Sequence, residues 1–186
     1  VKNTLSSDKL KVVCLGDSIT WGFPYGHEAS WVTMLEDAMD GEFVNQGING
    51  NTTTDMLNRF DRAVLSYNPT HVIIMGGLND VIWRESYDRI VFNLQTMIEK
   101  ARAEGIKVIM GTPTAVDEPE MEIRVERIRT WIKDYCQQNN IPVIDFAAAF
   151  FDGSGKIKTE YLLPDGGHPT RQGYQALFEQ IDFKVF

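Results

Sequence analysis

Four short segments of the chain carry side chains that together could perform acyl transfer. Ser18 lies in Gly16-Asp17-Ser18-Ile19-Thr20, directly after an apolar run, and so on a strand-to-helix turn. Its hydroxyl can face a crevice there, and its N–H is among those that a helix start leaves unpaired. Taken alone, Ser18 reads equally well as a helix cap. Asp165 and His168 stand three positions apart in Asp165-Gly166-Gly167-His168-Pro169-Thr170. One loop can therefore hold the carboxylate against one imidazole nitrogen and leave the other free to take a proton from serine. Gly50, in the loop Asn45 to Thr52, can bring an N–H close to a ligand or simply turn the chain. Asn79, in Gly76-Gly77-Leu78-Asn79-Asp80, can aim its amide at the same crevice or close its own turn. Asp80 is expected to tie that loop down. The set comprises a nucleophile, a base, an orienter and three oxyanion donors: Ser18 N–H, Gly50 N–H and the Asn79 amide.

These residues are useful only if the fold brings them together. Lys11 to Leu15, Phe43-Val44, His71 to Met75, Lys107 to Met110 and Pro142 to Asp145 read as five buried strands. Helical spacing of apolar residues covers Ala29 to Met39, Thr52 to Leu65, Tyr87 to Ala103, Glu122 to Gln138 and Thr170 to Ile181, with Thr170 as N-cap. The acidic stretch Asp117 to Glu122 reads as a solvated loop and helix start. Strands alternating with helices predict an α/β three-layer sandwich around a five-stranded parallel sheet. Right-handed crossovers favour the flavodoxin-like order 2-1-3-4-5, in one domain over residues 1–186. Ligands bind such sheets beyond the carboxyl ends of the strands, where the order reverses. The segments bearing Ser18, Gly50 and Asn79 follow strands one, two and three.

At these blocks the chain resembles the GDSL lipases and acylhydrolases, the SGNH hydrolases. Gly16-Asp17-Ser18, the glycine block with Gly50, Gly77-Leu78-Asn79-Asp80 and Asp165-Gly166-Gly167-His168 are similar to the family's four blocks, in order. Ile19 stands where the family name has leucine. The resemblance implies a serine esterase with Ser18 as nucleophile, His168 as base and Asp165 as orienter, and no metal or other cofactor. It also implies ester substrates: lipid esters, lysophospholipids, thioesters or acetylated sugars. The G-x-S-x-G elbow of the α/β-hydrolases is absent around Ser18.

Composition bounds the substrate and partners. The 186 residues are 43% hydrophobic and 24% charged, enough for a substantial core. Eighteen basic and 26 acidic residues leave a formal charge of −8, which disfavours nucleic acid and anionic membranes. No apolar run approaches the ~20 residues of a membrane span, so membrane insertion is not expected. Trp21, Phe23, Tyr25 and Trp83 are candidates for the substrate pocket, where they could stack on a sugar or line an acyl site; packing within the loops is the plainer alternative. With no long lid segment, a small soluble ester such as an acetylated carbohydrate is the expected substrate. His27 is a weaker candidate, and His71 opens strand three at the far end of the sheet. Cys14 and Cys136 are expected to be buried thiols, which suits a reducing compartment. A cytoplasmic location is the expectation, with secretion left open because the sequence begins at Val1. Two rivals from other classes are a non-catalytic binding module on the same fold and a flavin or phospho-receiver domain.

Overall fold

The computed structural model describes residues 9–186. Its centre is a parallel sheet of β1 (Lys11–Gly16), β2 (Glu42–Gly47), β3 (His71–Ile74), β4 (Lys107–Gly111) and β5 (Val143–Ile144), in the order β2-β1-β3-β4-β5. β1 pairs with both early strands: Val12 lies opposite Phe43 on one side and His71 on the other. The chain thus leaves β1 for one edge and returns past it to β3, which opens a crevice at the carboxyl ends.

Helices cover both faces, which explains why the central strands β1 and β3 are apolar without alternation. Val12 to Leu15 and Val72 to Ile74 are buried. Trp31 to Ala38 forms α2, which packs against α8 (Arg171–Glu179). The long helices α6 (Tyr87–Ala103) and α7 (Pro119–Gln138) pack together. Ser30, Ser86 and Thr170 cap α2, α6 and α8 by accepting backbone N–H groups. Cys14 and Cys136 are free and buried. Among the described residues no helix is long and apolar enough to cross a membrane.

Three elements depart from the sequence expectation. The helix foreseen over Thr52 to Leu65 is divided into α3 (Thr53–Asn58) and α4 (Phe60–Ala63), with a bend at Arg59 (φ −106°, ψ 8°). At that bend the Arg59 side chain turns back toward the strand ends. The loop after β3 winds into a short helix, α5 (Leu78–Ile82), whose five residues are too few for a periodic pattern. α7 starts at Pro119 rather than Glu122, because Glu118 caps it and proline suits a first turn.

Candidate active site

The turn after β1 is built around two close approaches. A Cβ on Gly16 would lie 2.1 Å from Thr20 Oγ1, and one on Gly47 would lie 2.3 Å from Trp21 N. The end of β2 can therefore run against α1 (Ser18–Trp21) only where side chains are absent. Asp17 caps α1, its Oδ1 accepting from Ile19 N at 3.0 Å. Ser18 is thus not the cap; it is the first residue of the helix.

Ser18 Oγ lies 3.0 Å from His168 Nε2, although 150 positions separate them. On the other side of the ring, His168 Nδ1 lies 2.5 Å from Asp165 Oδ2. With Asp165 ionised, Nδ1 carries the proton and donates it to the carboxylate, which leaves Nε2 to accept from the serine hydroxyl. The second carboxylate oxygen, Oδ1, accepts from the N–H groups of Gly167 and His168, both at 2.9 Å. Burial alone would raise the Asp165 pKa. The bonds from the His168 ring and these two N–H groups outweigh it and hold the carboxyl below its ordinary value.

The His168 loop is fixed from several directions. Asp117 N donates to Gly166 O at 2.7 Å, and Leu163 N donates to His168 O at 2.8 Å. The Phe23 ring packs on the imidazole with centroids 4.4 Å apart. From α8, the buried Tyr174 hydroxyl donates to Phe23 O at 2.6 Å and so holds that packing in place.

The remaining sequence candidates divide. Asn79, on α5, donates one amide hydrogen to Asn51 O at 2.9 Å and lines the same cavity as Ser18. Its second amide hydrogen has no bond among the described residues. Gly50 has φ +82°, a conformation that suits glycine, and its N–H makes no hydrogen bond among the described residues. Asp80 is fully buried, and its two oxygens accept from Thr53 N (2.8 Å) and Thr53 Oγ1 (2.6 Å). It ties the start of α3 to α5, as expected of it, and is unavailable as a phosphate acceptor.

The cavity beside Ser18 has a volume of about 420 Å³. Its apolar wall is aliphatic: Ile19, Leu78, Ile82, Val116 and Met121. Its acidic lining side chains are Asp17, Asp117, Glu118 and Asp165, with His168 beside them. The four expected pocket aromatics do not line it. Trp21 packs edge-on against His27 with centroids 5.7 Å apart. Tyr25 lies against Tyr174 and under the Arg171 guanidinium. Phe23 is used up on the back of His168, and Trp83 stands 71% exposed on the surface. Local sequence placed these rings in the right loops but could not show which way they turn.

Two residues that matter here escaped the sequence reading. Asp17 could have been found as a helix cap, since an Asp just before a helical run is a cap signal. Arg59 carried no signal, because its partners lie in three other segments. Among the described residues there is no group of three or more His, Cys, Asp or Glu placed to hold a metal ion.

The model of the GDSL-like lipase/acylhydrolase family matches residues 14–176. The chain belongs to this family of ester hydrolases. Among curated proteins, it is 32% identical to an arylesterase of Vibrio mimicus, over 92% of this chain and 86% of that one. It is 31% identical to the esterase TesA of Pseudomonas aeruginosa, over 91% and 85%. Among solved structures, a putative lipolytic protein of the G-D-S-L family from Desulfitobacterium hafniense superposes with a TM-score of 0.87 at 30% identity, covering 96% of this chain and all of that one. The α/β fold of this chain matches that of this GDSL-family neighbour.

Proposed function

We propose that this GDSL hydrolase cleaves small, uncharged carboxylic esters through an acyl-enzyme on Ser18. The observation that carries the reading is the unbroken hydrogen-bond chain from Asp165 through His168 to Ser18, beside an open cavity. His168 takes the Ser18 proton as the oxygen attacks the ester carbonyl. The oxyanion is held by Ser18 N–H, Gly50 N–H and the free Asn79 amide hydrogen. His168 then gives its proton to the leaving alcohol, and water, activated the same way, releases the acid and restores Ser18.

The substrate class follows from the walls. Five aliphatic side chains suit an acyl group of short to medium length. Asp117 and Glu118 stand at the cavity with no Lys or Arg among its lining residues, and the whole chain carries −8. That field opposes esters bearing phosphate or carboxylate, so lysophospholipids and acyl-coenzyme A thioesters are poor candidates. Aryl esters and acetylated sugars both meet the requirement, and the arylesterase relative agrees with the first.

The test combines a panel of nitrophenyl esters of increasing acyl length and a set of acetylated sugars with a fluorophosphonate probe. Turnover of the neutral esters and one adduct, mapped to Ser18, are expected. An adduct elsewhere, or none on an active preparation, would overturn the assignment.

A further inference from the structure

We infer that Arg59 is a positioning residue for the oxyanion site, holding Gly50 and Asn79 in register with Ser18; the inference rests on the proposed role of those donors. The guanidinium reaches three segments at once. Its Nε donates to Asn51 Oδ1 at 2.7 Å, and one terminal nitrogen donates to Gln46 O at 2.9 Å and Gly16 O at 3.1 Å. Gly16 closes β1, two residues before Ser18, and Gln46 lies near the end of β2. Asn51 follows Gly50, and its own carbonyl accepts from Asn79 Nδ2 at 2.9 Å. One side chain thus joins the backbone before Ser18, the strand before the glycine loop, and the residue that orients Asn79.

The helix bends where this contact needs it. Arg59 closes α3 and precedes α4, with φ −106° and ψ 8°, while the turns on either side keep their bonds: Arg59 N donates to Asp55 O, and Ala63 N to Arg59 O. The planar fork is what makes the arrangement possible, because Nε and a terminal nitrogen diverge at a fixed angle toward a side-chain amide and two carbonyls. Lysine offers a single nitrogen and cannot meet all three. Arg59 does not appear among the residues that line the cavity, so it acts through Asn51 and the strand ends.

A positioning role has a kinetic signature. Oxyanion donors act in the transition state, so their displacement lowers kcat more than it raises KM. An error of about 1 Å in such a site costs about 10²-fold in rate. The test measures nitrophenyl acetate hydrolysis by the wild type and by Arg59→Met, Arg59→Lys, Asn79→Ala and the Arg59→Met/Asn79→Ala double variant. Arg59→Met is expected to lower kcat about 10- to 100-fold with KM within about 3-fold, and Arg59→Lys to recover only part of the loss. In the Asn79→Ala background the same change should cost several-fold less than in the wild type, because only Gly50 then remains to be misplaced. Equal losses in both backgrounds, a loss confined to KM, or an unaltered kcat would overturn the inference. Should Arg59→Met fold poorly, Asn51→Ala removes only the Nε acceptor and keeps the carbonyl that holds Asn79; the same non-additivity with Asn79→Ala is expected, and additivity would overturn the proposal. Failure of the esterase reading would appear instead in the wild type, as turnover unaffected by Ser18→Ala.

Discussion

Asp17 is a carboxyl group that the fold buries beside the nucleophile, 3% exposed. Burial raises its pKa from 3.8 to about 6, against the pull of the Ile19 N–H and the His168 ring. The folded state therefore favours the protonated form more than the unfolded chain does. Its stabilising contribution is complete below the unfolded pKa of ~3.9 and is lost as pH rises through about 6, a total of about 3 kcal/mol. Asp165 has the opposite sign: its lowered pKa contributes stability above the unfolded value, lost as pH falls through the folded one. Asp17→Asn keeps an oxygen for Ile19 N–H but cannot ionise. Urea denaturation at pH 4 and pH 8 should show the variant gaining on the wild type at pH 8, by up to about 3 kcal/mol relative to pH 4. Parallel stability curves across this window would mean that Asp17 ionises freely.

At the scale of elements, α7 does more than cover the sheet. Arg129, buried on its inner face, donates to Pro113 O at 2.7 Å, Thr114 O at 2.8 Å and the carboxylate of Glu122. Glu122 in turn accepts from Val116 N at 2.9 Å. One helix thereby fixes the loop after β4, which delivers Val116, Asp117 and Glu118 to the cavity. Removing the cation leaves a partly buried carboxylate and two carbonyls without their donor. Arg129→Met should therefore cost ~3–5 kcal/mol in urea denaturation, well beyond an exposed ion pair. A loss under about 1 kcal/mol would show that water replaces the guanidinium without penalty. α5 is held comparably at its middle, where Asp80 meets Thr53, and Asn93 of α6 donates to Thr53 Oγ1 at 3.0 Å.

Charge belongs to the whole molecule. The excess of acidic residues and the carboxylates at the cavity should together repel anionic substrates during encounter and binding. For two esters of the same acyl group, one neutral and one carrying a carboxylate on the alcohol, kcat/KM should favour the neutral one. The preference should narrow as ionic strength rises from ~0.01 M to ~1 M, since the screening length falls from ~30 Å to ~3 Å. A ratio indifferent to salt would assign the selectivity to shape alone.

From the sequence by itself came the strand and helix alternation, the order of the sheet and the residues of the Ser18–His168–Asp165 chain. The alternation and the Asp165–His168 pair are local: burial on both faces makes the central strands β1 and β3 continuous apolar runs, and Asp165 and His168 share one loop. The sheet order followed from the crossover rules, and Ser18 from its place directly after the first strand. Asn79 and Gly50 stood out as unusual residues at strand ends, and their part as oxyanion donors belongs to the proposed function. What only the tertiary structure decided are contacts between distant segments. Arg59 reaches Gly16 across 43 positions, Asp80 reaches Thr53 across 27, and Tyr174 reaches Phe23 across 151. The cavity wall likewise became aliphatic because Phe23, Tyr25 and Trp21 each found another partner. Periodicity reports which face of an element is apolar. Which side chain it meets depends on how the crossovers stack the helices, and that information lies in no single stretch of the chain.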